Sequence, residues 1–175
     1  MMKRHALIVG GQGVGKSTLI ARVRREMALP EAGLETVRVA TPPEEPGAPV
    51  YIYRVGGPRT QSDENLAAFV RSTGRQSFPE VFDRYAAYLR QDAPHAGLIV
   101  LDELGFLESD AAEFCRTVLD MLDGDVPVLA AVKPKDTPFL TAVRNHPKAQ
   151  VFHIDETSRD ALVEEVLAFF RDSLS

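Results

Sequence analysis

The stretch Gly10-Gly11-Gln12-Gly13-Val14-Gly15-Lys16-Ser17-Thr18 constrains this chain more than any other. It fits the spacing G-x-x-x-x-G-K-[ST], with Gly10, Gly15, Lys16 and Ser17 in the fixed places. Glycines are needed because the backbone has to curl until several N–H groups point inward at one anion, in conformations that side chains would block. Lys16 then offers a point charge to β- and γ-phosphate oxygens, and the Ser17 hydroxyl is a ligand type suited to Mg²⁺. A helix starting inside the loop aims its positive end at the same anion.

Such a loop has meaning only between a buried strand and a helix, and its flanks supply both. His5 to Val9 is a short apolar run ending at Gly10. Ser17 to Met27 puts Leu19, Ile20, Val23 and Met27 on one face at helical spacing.

The 175 residues suffice for one well-buried domain over 1–175, with a candidate hairpin or lid insertion at 34–78. A formal charge of -5 argues against nucleic acid as the main partner. Arg22, Arg24 and Arg25 crowd the end of the first helix, where the macrodipole favours cations. No run approaches the roughly 18 apolar residues of a membrane span, and no signal-type segment opens the chain, so neither membrane nor export is expected. The single cysteine, Cys115, cannot form an internal disulfide and fits a reducing cytoplasm; its helix-face register with Val118, Leu119 and Leu122 marks it as a core thiol. His5, His95, His146 and His153 show no metal-ligand spacing.

Beyond the first helix, Leu29 to Gly33 breaks the pattern. Thr36 to Ala40 and Tyr51 to Val55 read as strands joined by a proline-rich turn with Pro42, Pro43, Pro46 and Pro49, a hairpin at the sheet edge. Gly56 to Arg59 is a turn, Ser62 to Val70 a short helix, and Arg71, Gly74 and Arg75 a mobile stretch whose arginines either fold over a triphosphate or are simply solvated. Ser77-Phe78-Pro79-Glu80 has the form of a capping box before a helix with Val81, Phe82, Tyr85, Tyr88 and Leu89 inward.

Gly97-Leu98-Ile99-Val100-Leu101-Asp102-Glu103 is the second informative stretch. Four consecutive apolar residues indicate a strand covered on both faces, as in parallel sheets. Two carboxylates emerge at its end. Asp102 fits the role of holding Mg²⁺, and Glu103 that of polarising a water for attack on a γ-phosphate. Later elements alternate in the same way: a helix over 109–122, a strand over 126–132, a helix begun by Asp136-Thr137-Pro138, a strand over 151–154, and a last helix capped by Thr157-Ser158-Arg159-Asp160. Together they describe a three-layer α/β fold, a mostly parallel sheet flanked by helices, with ligands beyond the C-terminal strand ends.

The run Ile99 to Ser109, the following Phe114, Pro127 to Ala130 and Ser158-Arg159-Asp160 resemble the small P-loop nucleoside-triphosphatases sometimes called cancer-related nucleoside-triphosphatases. The resemblance covers residues 5–20 and 97–170. It implies a P-loop fold of the additional-strand type and slow Mg²⁺-dependent hydrolysis of ATP, GTP and other nucleoside triphosphates. By the same resemblance Lys16, Ser17 or Thr18, Asp102 and Glu103 take the phosphate, metal and catalytic positions, and Arg159 lies near the base. Gln12 stands where those proteins often carry proline, and the segment after the second strand follows a different pattern. A catalytic arginine can come from Arg54, Arg59, Arg71, Arg75 or a partner.

Four functions share these features: nucleoside-triphosphate hydrolysis, phosphoryl transfer to a small acceptor, a regulatory GTP switch, and a nucleotide-binding module of a larger assembly. The switch is disfavoured because Val132-Lys133-Pro134-Lys135 stands where a guanine-reading [NT]-K-x-D element belongs. No feature of the sequence supports a protein partner.

Overall fold

The computed structural model describes residues 2–40 and 47–175. Among them the chain runs β1 (His5–Val9), α1 (Lys16–Met27), β2 (Glu31–Arg38), β3 (Ala48–Arg54), β4 (Leu66–Arg71), β5 (Gly74–Ser77), α2 (Pro79–Asp92), a 3₁₀ turn at Ala93–His95, β6 (Leu98–Leu104), α3 (Ala112–Asp123), β7 (Val128–Val132), α4 (Pro138–Arg144), β8 (Ala149–His153) and α5 (Arg159–Leu174). The strands form one sheet in the order β5-β4-β3-β2-β6-β7-β1-β8. From β2 to β8 the neighbours are parallel, and β3, β4 and β5 continue the sheet antiparallel.

The period of two in the central strands feeds two cores. Leu7, Val9, Ile99, Leu101, Val128 and Ala130 join the core that α2, α3 and α4 cover. Their neighbours Ala6, Ile8, Leu98, Val100, Leu129 and Ala131 face the other way, against Leu19, Ile20 and Val23 of α1 and Val163, Val166 and Phe170 of α5. This is the expected three-layer arrangement. No helix among the described residues is long and apolar enough to cross a membrane.

A histidine sits inside these layers. His5 is fully buried in β1; the Val128 N–H donates to its Nδ1 at 3.0 Å, and its Nε2 lies 2.8 Å from the Leu122 carbonyl. Burial pushes its pKa down to about 4, so the ring is neutral at ordinary pH.

Several sequence expectations are corrected. The segment 62–70 is not a helix: after a turn it enters β4, because Ala67 and Ala68 are buried between β3 and the β5 edge. Arg71, Gly74 and Arg75 lie in a β4–β5 hairpin, where Arg71 pairs with Gly74 and Val70 with Arg75. The β2–β3 hairpin exists but lies within the sheet, with β5 as the edge; Pro42, Pro43 and Pro46 of its turn fall outside the described residues. Ser77 forms no capping box, being paired with Ala68 in β5; α2 starts at Pro79, whose missing N–H is no loss at a first helical position. The next helix, α3, begins at Ala112 rather than Ser109, after two turns in which the Ser109 and Ala111 N–H groups donate to the Phe106 and Glu108 carbonyls. Before α5, Ser158 makes no side-chain cap; the Asp155 carboxylate instead accepts from the Thr157 and Ser158 N–H groups at 2.9 and 3.0 Å. Thr137 does cap α4, accepting from the Leu140 N–H at 3.1 Å.

The break expected over 29–33 ends early, because β2 starts at Glu31 and runs parallel to β6. Gly33 makes that possible. It pairs with Val100 at a φ of +152°, and a Cβ there would lie 1.9 Å from the Val100 carbonyl oxygen. Gly33→Ala is therefore expected to destabilise the fold by more than about 2 kcal/mol in urea denaturation, through backbone strain and a clash with main chain. A loss below about 0.5 kcal/mol would contradict the close approach of these strands.

Candidate active site at the strand ends

With β7 between them, β1 and β6 run parallel, so the loop after β1 and the last residues of β6 emerge at one rim. Gly10 to Gly15 form the loop and Lys16 opens α1. Gly15 has a φ of +101°, and a Cβ there would press on the Arg159 side chain at 2.8 Å, so both conformation and space demand glycine. The Lys16 ammonium is only 6% exposed and uses all three protons: it donates to Gly10 O at 2.5 Å and Gly11 O at 2.8 Å, and meets Glu103 Oε2 at 3.2 Å.

Asp102 shares the parity of Leu98 and Val100, so its carboxylate points towards α1, where the Ser17 hydroxyl donates to Oδ1 at 3.1 Å. Ser17, not Thr18, makes this contact. After Asp102 the ladder slips: Asp102 pairs with Ala131 and Leu104 with Val132, which leaves Glu103 as the extra residue, as in a bulge. The Glu103 N–H donates to Thr36 Oγ1 at 3.4 Å, and the peptide joining it to Asp102 is cis. Its carboxylate lies between two ammonium groups, Lys16 and, at 3.7 Å, Lys133.

Burial raises the pKa of Asp102; the Ser17 hydrogen bond works against this, while the charges of Glu103 and Glu35 add to it. A half-buried carboxylate close to two other acids, with a hydroxyl 3.1 Å away, offers hard oxygen donors of the kind a small divalent cation takes. No cluster of three or more His, Cys, Asp or Glu side chains that could hold a metal occurs among the described residues. A metal at this rim would therefore take its remaining ligands from phosphate oxygens and water, as Mg²⁺ usually does.

The other sequence candidates divide. Arg159 lies along the loop at Gly15, and its Nε is buried without a hydrogen-bond partner. Arg54 is bound by Asp92 at 2.8 and 3.1 Å, and Arg59 by Glu35 at 2.8 Å. Arg71 and Arg75 line a cavity of about 330 Å³ that Gln12, Glu103 and Lys133 also line. Cys115 is half-buried, with its Sγ 3.4 Å from the Glu108 carbonyl, and burial pushes its pKa up to about 12.

Sequence reasoning missed Lys133, Thr36 and Glu108. Lys133 had a signal: it follows a fully apolar strand at the rim where ligands of such sheets sit. Thr36 and Glu108 act through partners distant in sequence or through burial, and had none. Glu108 is 3% exposed, and its Oε1 accepts the Gly105 N–H at 2.6 Å, closing the turn after β6.

A phosphate-cradling loop facing an Asp–Glu pair across one intervening strand defines a P-loop nucleoside-triphosphatase of the additional-strand type. The comparisons agree: the sequence matches the NTPase family over residues 5–167, and the chain belongs to that family. Nucleoside-triphosphatase THEP1 of Thermotoga maritima is 28% identical over 186 residues, covering 94% of each chain. The protein of the same name from Thermococcus kodakarensis is 30% identical over 146 residues, covering 77% of this chain and 78% of that one. The crystal structure of THEP1 from the hyperthermophile Aquifex aeolicus shares the fold with a TM-score of 0.73 at 21% identity, over 95% of this chain and 98% of that one.

Burial raises the pKa of Glu108 to about 7 from 4.5. Between those values the folded carboxyl keeps a proton that the unfolded chain has lost, so its contribution to stability is full below pH 4.5 and declines as pH rises to 7. His5 acts oppositely, favouring the fold as pH rises from 4 to 6.5, so the comparison must be with a variant rather than across pH alone. Glu108→Gln keeps the acceptor for Gly105 and removes the titration. Relative to wild type, it is expected to gain on the order of 3 kcal/mol between pH 4.5 and 7.5 in urea denaturation. A pH-independent difference would show that Glu108 is ionised in the fold.

Proposed function

We propose that this chain hydrolyses nucleoside triphosphates, ATP and GTP among them, to the diphosphate and phosphate with Mg²⁺ and with little discrimination between bases. The observation that carries this reading is the contact of Lys16 with Glu103 at 3.2 Å beside that of Ser17 with Asp102 at 3.1 Å, two pairs that join the loop to the end of β6. Ser17 and Asp102 would hold the metal. A Mg²⁺ held there would supply positive charge to offset the negative charge that develops on the phosphates.

The chain's own groups supply the rest. The loop N–H groups and the N-terminus of α1 cradle the phosphates. Lys16 exchanges its carbonyl acceptors, Gly10 and Gly11, for β- and γ-phosphate oxygens. That move frees one side of Glu103, while Lys133 and the Thr36 hydrogen bond keep it in place to orient a water in line with the γ-phosphate and accept its proton. Positioning and electrostatics of this kind suffice for slow turnover. Low base specificity is supported by Val132-Lys133-Pro134-Lys135, which lacks a guanine-reading element. A nucleotide substrate and a lone unpaired cysteine support a cytoplasmic setting.

Phosphate release from a panel of triphosphates, together with calorimetric nucleotide affinity, tests the reading. Lys16→Ala is expected to abolish nucleotide binding. Glu103→Gln is expected to bind as wild type does and to lose about a hundredfold to ten-thousandfold in kcat, the range of a positioned base. Full turnover in Glu103→Gln sinks the assignment, and nucleoside diphosphate formed in excess of free phosphate would instead indicate transfer to an acceptor.

A further inference from the structure

Charge developing on a γ-phosphate calls for cations besides Lys16, and the sheet's antiparallel end brings further ones to the cavity at Glu103. The β4–β5 hairpin closes the cavity beside Glu103, whose lining includes four cations, Arg38, Arg71, Arg75 and Lys133, against the single carboxylate of Glu103. Such an excess of positive charge fits an oxyanion entering next to Glu103, and Gln12 makes the cavity continuous with the phosphate loop.

Among these guanidinium groups, Arg75 is the one the described residues hold on the ring of Phe106, while Arg71 lies 5.6 Å from the centre of the Phe69 ring. The Arg75 guanidinium lies 3.5 Å from the centre of the Phe106 ring, in the turn after β6. Lys133, which pairs with Glu103, lies 5.5 Å from the same ring centre. Arg75 is exposed, and among the described residues no carboxylate pairs with it, in contrast to Arg54 and Arg59. A stacked guanidinium is held more weakly than one in a charge-assisted pair, so an incoming triphosphate can draw it off the ring.

We infer that Arg75 is the arginine this chain supplies in cis to the γ-phosphate during hydrolysis, parked on Phe106 until nucleotide arrives. The inference rests on the hydrolase reading above. It makes the hairpin part of the reaction and removes the need for a partner's arginine. The planar fork can donate two hydrogen bonds to equatorial oxygens of the γ-phosphoryl group as charge accumulates there.

The experiment compares wild type, Arg75→Ala and Arg75→Lys for ATP turnover with Mg²⁺, for affinity towards a non-hydrolysable ATP analogue, and for thermal unfolding. Arg75→Ala is expected to lose about a thousandfold in kcat, the scale of an arginine acting on a transferred phosphoryl group, with analogue affinity within about threefold of wild type and added guanidinium restoring part of the rate. Arg75→Lys keeps the charge without the fork and is expected to recover less than about a tenth of the wild-type rate. Turnover in Arg75→Ala within about threefold of an active wild type overturns the inference and leaves the hydrolase reading intact. A parallel loss of affinity, with kcat kept, overturns it too, since Arg75 would then only bind. A wild type that releases no phosphate from any triphosphate overturns both readings.

Discussion

Backbone hydrogen bonds from β7 to both β1 and β6 set how far the end of one outer strand lies from the end of the other, and in which register. Parallel pairing gives the three strands a common direction, so the phosphate loop and the acidic pair cannot emerge at opposite edges. The geometry of the site then follows from parity. Asp102 inherits the α1-facing side of the strand, while the slip after it turns Glu103 out of the ladder and towards the lysines. A strand that stayed in register would send both acids along the alternation of its core residues.

The two adjacent carboxylates consequently live in different surroundings. Asp102 is half-buried near other acids with a hydroxyl donor, a setting that invites a hard cation. Glu103 is flanked by two ammonium groups and tethered through its own N–H. In the proposed reaction, metal binding and water activation are thus divided between neighbours by environment rather than by residue type. The same rim is cation-rich on the hairpin side, where Phe106 offers one ring to both Arg75 and Lys133.

Those parts of the fold that depend on local chemistry were legible in the sequence. The phosphate loop, the fully apolar strands and the helices with one apolar stripe are dictated by spacing alone, and the loop together with Asp102 and Glu103 could be read from two short stretches. The hairpin at 66–77 could not. Its strands are short, β5 (Gly74-Arg75-Gln76-Ser77) is polar, and in β4 the run Leu66 to Val70 lacks the alternation that would tell it from a helix face. The start of β2 was hidden for a related reason, since Gly33 reads as a breaker until the Val100 carbonyl that excludes a side chain is seen beside it. Capping at α2 and α5 went astray because Ser77 is claimed by β5 and the turn before α5 by Asp155, both matters of tertiary or neighbouring pairing. Lys133 and Thr36 reach the site only through strand adjacency.

His5 sits at the other end of β1, the end where the strand enters the sheet. Its imidazole accepts from the first residue of β7 and lies against a carbonyl in the last turn of α3, so it acts as a rivet between three elements at the rim opposite the loop. Anchorage and chemistry are thereby segregated to opposite poles of the molecule. In the proposed reaction, side chains at the loop end can then move around a ligand while the contacts of His5 hold β1, β7 and α3 together at the other end.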